Sequence, residues 1–236
     1  MIRKALEYIV GLNQPAVQDI NGETYSDKPL HRISYNPKAE PIKMHTLSSF
    51  VDYIKSWFDD YDKLFVHVIS PTEVEAYSCL DYERTREHLV YVEASVPTFR
   101  FDTFYAHEEF CIALQSKFLP NDDRALLLKF AGTVEAGTVA EYGDDGVTQK
   151  ATVKTGVASK SDAIVPNPVV LKAYRTFVEV EQPETQYVFR MRDDNSGVKC
   201  ALFQADGGEW QLEAMQNVKE FLDEQLKEYA NLVVIC

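Results

Sequence analysis

Hydrophobic and polar positions alternate most regularly between Val165 and Ala205, VPNPVVLKAYRTFVEVEQPETQYVFRMRDDNSGVKCALFQA. The alternation predicts three successive antiparallel strands on which the rest of the chain packs. Pro183-Glu184, bracketed by Gln182 and Thr185, has the form of a turn with Pro at its first central position. Folding at that turn sets Val180 opposite Tyr187, Val178 opposite Phe189 and Thr176 opposite Met191, an apolar face of period two. Arg175, Glu179, Glu181, Arg190 and Arg192 fall on the other, wetter face. A second turn, Asp193-Asp194-Asn195-Ser196-Gly197, returns the chain as Val198 to Phe203.

Elsewhere the period switches between helix and strand. Ile2, Leu6, Ile9 and Val10 predict a short amphipathic helix over residues 2 to 13, ended by Gly11 and Pro15. Asn21-Gly22 marks a small hairpin within Val17 to Ser26, followed by an extended segment through His31 to Tyr35. After Thr46 as N-cap, Leu47, Phe50, Val51, Ile54, Phe58 and Tyr61 trace the clearest helical stripe. Leu64 to Ile69, Val74 to Leu80 and Leu89 to Val96 predict a meander.

Phe104 to Leu119 reads as a helix with Phe104, His107, Cys111, Leu114 and Phe118 on one side, closed by Pro120. Arg124 to Val134 fits a helical turn or a buried strand equally. Residues 131 to 164 hold five Thr and five Gly but no Leu, Phe, Met or Trp. That composition favours strand over helix, with Gly143-Asp144-Asp145-Gly146 as its turn, and predicts a mobile loop or a thin protruding ribbon. Glu209 to Tyr229 closes the chain as a helix whose inner stripe is Leu212, Met215, Val218, Leu222, Leu226 and Tyr229. The expected fold is a single α+β domain over residues 1 to 236, mainly antiparallel, with three to four packing helices and residues 131 to 164 as an assembly arm.

Charge narrows the range of partners. The chain has 24 Lys and Arg against 37 Asp and Glu, a net charge of −13, which argues against a phosphate-backbone partner. Cys79, Cys111, Cys200 and Cys236 form no CxxC pair and read as thiols of a reducing compartment. With no secretory h-region and no apolar run near 18 residues, the expectation is a cytoplasmic protein without a membrane partner.

Candidate chemistry is sparse. His107 and Cys111 have the i, i+4 spacing of half a zinc site but lack further ligands. Asp144-Asp145 and Asp193-Asp194 could hold a divalent cation, yet both sit where turns demand Asp beside Gly. Glu179-x-Glu181 is explained by cross-strand pairing with Lys172 and Arg190. The glycines form neither GxGxxG nor GxxxxGK, and no Ser or Cys occupies a nucleophile elbow. The expectation is therefore no catalytic, cofactor or metal residue. What remains is Tyr interleaved with Arg: Tyr174, Arg175, Tyr187, Arg190 and Arg192 are the candidate interaction residues, since these types enrich interfaces and pockets.

The order of a TLSSFVDYI helix, a meander, a Phe-rich helix, a Thr/Gly ribbon, PNPVVLKAYRTF and QYVFRMRDDNSG before an acidic helix resembles the YfdQ-like proteins of tailed phages and prophages, over roughly Met44 to Leu226. The resemblance implies a phage or prophage accessory protein made inside the bacterial host cell, and it carries no functional residue over. The leading expectation is a non-enzymatic protein that forms a homo-oligomer and binds a host component. Its alternatives are a binder that sequesters a small nucleotide-type signal of host anti-phage defence, and a metal-dependent hydrolase built on the acidic pairs.

Overall fold

In a computed structural model, the described residues are 2–11, 14–29, 38–56, 62–136, 138–144, 149–155, 159–165, 167–194 and 197–236, with backbone alone for 133–165 and 193–194. They form an α+β fold whose strands are mostly antiparallel. The chain divides into two compact units, Met1–Ala39 and Glu40–Cys236.

The first unit holds α1 (Ile2–Gly11) and the hairpin of β1 (Val17–Ile20) with β2 (Glu23–Ser26). Asn21 and Gly22 both adopt positive φ, 55° and 84°, as the tight turn between twisted strands requires. Asp27 closes the hairpin base by accepting the Ala16 N–H at 2.7 Å. α1 buries none of its residues. The extended segment expected at His31 to Tyr35 lies outside the described residues, as do Phe58 and Tyr61 of the second helix.

The second unit contains two hydrophobic cores. One lies under a five-stranded sheet ordered β14 (Leu232–Ile235), β4 (Leu64–Ser70), β5 (Glu73–Ser78), β6 (His88–Glu93), β3 (Ile42–Met44). The expected meander is its centre, with β14 and β3 added in parallel at the two edges. Alternate residues Val66, Val68, Val74, Ala76, Val90 and Val92 point into the core, and α2 (Leu47–Ser56) and α5 (Glu209–Gln225) cover them. Thr46 caps α2 as its type predicts: its Oγ1 accepts the Ser49 N–H at 3.1 Å.

The other core lies against a four-stranded sheet ordered β11 (Val169–Leu171), β12 (Thr185–Asp194), β13 (Gly197–Gln204), β7 (Tyr105–Ala106), with α3 (His107–Lys117) and α4 (Asp122–Ala136) packed on it. The ambiguous stretch from Arg124 is thus helical. The Thr/Gly segment is ordered as a meander of β8 (Thr138–Asp144), β9 (Gln149–Thr155) and β10 (Ser159–Val165), its first residues completing α4 instead. The expected turn at Gly143 to Gly146 falls partly outside the described residues.

Three expectations need correction. β12 does pair with β13, with Asp194 opposite Gly197, but the preceding strand is β11, with Val169 opposite Tyr187 and Leu171 opposite Thr185. Residues 172–184 are a loop, not a hairpin arm, and Val178 is 70% exposed. The apparent alternation fails there because the backbone bonds elsewhere. Tyr174 N–H donates to Lys117 O at 3.0 Å and Leu119 N–H to Lys172 O at 2.8 Å, so this stretch meets the end of α3. On α3 the buried side is Phe110, Ala113 and Leu114, while His107 and Cys111 are half-buried. On α5 the buried residues are Ala214, Val218 and Leu222; Leu212, about 120° round the helix from Val218, is 72% exposed.

Candidate functional site: a caged arginine

Gln182 organises the loop that carries the site. Its Oε1 accepts the N–H groups of Arg175 (2.9 Å) and Thr176 (3.2 Å), and its Nε2 donates to Phe177 O (2.9 Å) and Val180 O (3.3 Å). One buried amide therefore satisfies four backbone groups that a strand ladder would otherwise take. Thr176 Oγ1 donates to Pro71 O, Phe177 enters the core of the five-stranded sheet and Ala173 the other core. The loop is fixed at both sides, with Arg175 between Ala173 and Phe177.

The Arg175 guanidinium is surrounded by rings. Its central carbon lies 4.1 Å from the centroid of Phe101, 4.4 Å from Trp210 and 5.3 Å from Tyr187. Phe101 and Tyr187 stack on each other at 5.3 Å. Arg175 is only 8% exposed, and its Nε, Nη1 and Nη2 have no hydrogen-bond partner among the described residues. The buried Tyr187 hydroxyl likewise makes no bond of full hydrogen-bond geometry, although it lies near enough to Arg175 and Thr185 for a weaker polar interaction.

Two acids whose charges reach Arg175 also hold backbone amides. Asp206 accepts the N–H groups of Gly208 (3.2 Å) and Trp210 (3.4 Å) at the start of α5, and Asp102 accepts that of Gln204 at 3.2 Å. Their charges favour the guanidinium from a distance. Burial outweighs them and pulls its pKa below the ordinary value. Burial likewise pushes the Tyr187 phenol up to about 12, the Arg175 charge opposing it.

Magnitudes show what the cage leaves undone. Each ring contact returns roughly 0.5–2 kcal/mol toward holding the charge. A ring cannot accept five in-plane N–H bonds, and an unmet buried donor costs about 1–3 kcal/mol. The cage offsets the charge and leaves the donors unmet, which is the condition an anion would relieve.

A hollow of about 260 Å³ opens beside it, lined by Thr98, Phe99, Phe101, Lys117, Arg175 and Trp210 among others. Lys117 Nζ donates to Thr98 O, and Arg175 is the buried cation of the hollow. Trp210 stands in the first turn of α5, separated by Glu209 from Gly207 and Gly208, which adopt φ 65° and 90°. Glycine adopts that backbone most freely, and the turn lets the helix begin with the Trp210 indole over the guanidinium.

Of the sequence candidates, Tyr174, Arg175 and Tyr187 gather here. Arg190 and Arg192 lie further along β12, Arg192 over the Phe104 ring at 4.1 Å and Arg190 donating to Phe189 O at 3.0 Å. His107 and Cys111 stand 3.7 Å apart, and among the described residues no three His, Cys, Asp or Glu gather as metal ligands. The side chains of both acidic pairs lie outside the described residues. Among those residues no helix is long and apolar enough to cross a membrane.

Phe101 and Trp210 were not legible as site residues. The available signals were the Phe99-Arg100-Phe101 alternation in a segment of no regular structure and a Trp behind two glycines. No family model matches the chain, and neither a curated protein nor a solved structure matches it.

Proposed function

We propose that this protein is a non-enzymatic binding protein that captures a small anion at Arg175. The observation that carries the reading is the buried guanidinium whose three nitrogens find no acceptor beside an open hollow. An anion seated there would take the unmet donors, and Trp210 would move aside to admit it. Among the expectations from sequence, this favours sequestration of a small ligand; the phage setting, and a signal of host defence as that ligand, remain part of the proposal and rest on the YfdQ-like resemblance.

A Trp57→Phe variant leaves Trp210 as the sole tryptophan. Its fluorescence should respond saturably to sodium acetate, inorganic phosphate or sulfate, and Arg175→Met in that background should abolish the response. Three flat titrations would overturn the reading.

A second reading, homo-oligomerisation, is favoured by one feature. β8 and β10 form the outer edges of their sheet, and among the described residues no fourth strand pairs with either. Seven-residue edges of this kind are templates for another chain, and a second copy is the simplest partner.

A further inference from the structure

Next to the Arg175 hollow lies a second one of about 610 Å³, and Pro97 and Tyr174 line both. Its walls are largely apolar, with Leu119, Val178 and Val180 beside Gln182 and the Lys172–Glu181 ion pair. Val178 is the odd member: a large aliphatic side chain, 70% exposed, on a loop that Gln182 holds rigidly.

Resting on the anion reading above, we infer that the ligand is an amphipathic monocarboxylate, its head on Arg175 and its apolar body over Tyr174 against Val178 and Val180. Two arguments choose the head. Rings crowd the guanidinium, so an acceptor must approach its edge, and the two coplanar oxygens of a carboxylate match that fork. Charge gives the second. A phosphate monoester carries about −1.5 to −2 at neutral pH, and the two cations bordering the hollow, Arg175 and Lys117, have Asp102 and Asp206 acting against such a charge. A monoanion leaves less charge uncompensated there than a dianion does.

The body follows from continuity. A chain leaving the first hollow past Pro97 and Tyr174 enters the second, where it would cover Val178. Each methylene so buried should tighten binding about fourfold.

The test titrates the Trp57→Phe protein with sodium butyrate, hexanoate and octanoate, reading Trp210 fluorescence, with octylamine and inorganic phosphate as comparisons. The expected result is an affinity rising about fourfold per methylene, no response to octylamine, and loss of binding in Arg175→Met and Arg175→Lys. Val178→Glu, on an exposed position, should flatten the dependence on chain length.

Butyrate binding with no gain for octanoate would overturn the apolar body and leave the anion site standing. Phosphate binding without any carboxylate would overturn the head chemistry alone. Equal binding of octylamine would overturn the role of charge. Silence from every probe would remove this inference and the anion reading together.

Discussion

Arg175 should be a liability to the ligand-free protein. Replacing a buried charge by an apolar group of similar length is often neutral or stabilising by about 1–4 kcal/mol, so Arg175→Met should unfold in urea at the same or a higher midpoint than the parent while losing its ligand. A variant several kcal/mol less stable would mean that the rings compensate the guanidinium fully and that the site is architectural. Two buried groups of the four-stranded sheet predict the response to alkali. Burial pushes the Cys200 thiol from 9.0 to about 12 and the Tyr187 phenol from 10.0 to about 12. On raising the pH the unfolded chain loses these protons first, so the folded state binds more and stability falls. The loss should begin near pH 9 for Cys200 and near pH 10 for Tyr187, reaching on the order of 1–3 kcal/mol each by about pH 11. Urea midpoints across that range should fall, and Cys200→Ala should delay the onset; an unchanged onset would contradict the assignment. Arg175 and Tyr187 were legible as candidates because Tyr and Arg interleave. Their partners were not, since Phe101 and Trp210 arrive from distant parts of the chain and no local pattern records that meeting.

At the scale of elements, periodicity reveals that a helix exists more readily than which way it faces. α2 was legible in both respects because Leu47, Phe50, Val51 and Ile54 are all apolar and all buried. α5 offered one apolar residue too many, and Leu212 was assigned inward although only Ala214, Val218 and Leu222 form the buried line. Leu222→Asp should therefore cost several kcal/mol, the scale of an unpaired buried charge, whereas Leu212→Asp should shift the melting temperature little. Equal losses would place the helix face wrongly. Thr46→Ala should cost about 1 kcal/mol through the lost cap, measured by the same denaturation. Short edge strands escaped notice for another reason: β3 and β14 hold three and four residues, too few to show a period. The loop from Lys172 to Glu184 misled in the opposite direction, because its residues alternate like a strand while Gln182 satisfies its backbone.

For the molecule as a whole, the α+β class and the central meander were legible, and so was the strand preference of the Thr/Gly segment, whose third strand was not. Replacing Thr138 to Val165 by a short Gly/Ser linker tests whether that sheet joins copies of the chain. Light scattering after size exclusion should show a defined oligomer for the intact protein and a folded monomer for the shortened one. A monomeric parent, or an oligomer indifferent to the change, would remove the assembly reading. The amide clamp has a consequence on the scale of time. The Arg175 and Thr176 N–H protons share one acceptor, Gln182 Oε1, while the Thr176 hydroxyl reaches across to Pro71. One rotation of one side chain uncovers both protons, so in deuterated water they should be replaced at a single common rate. That rate becomes a clock for how often the amide clamp opens.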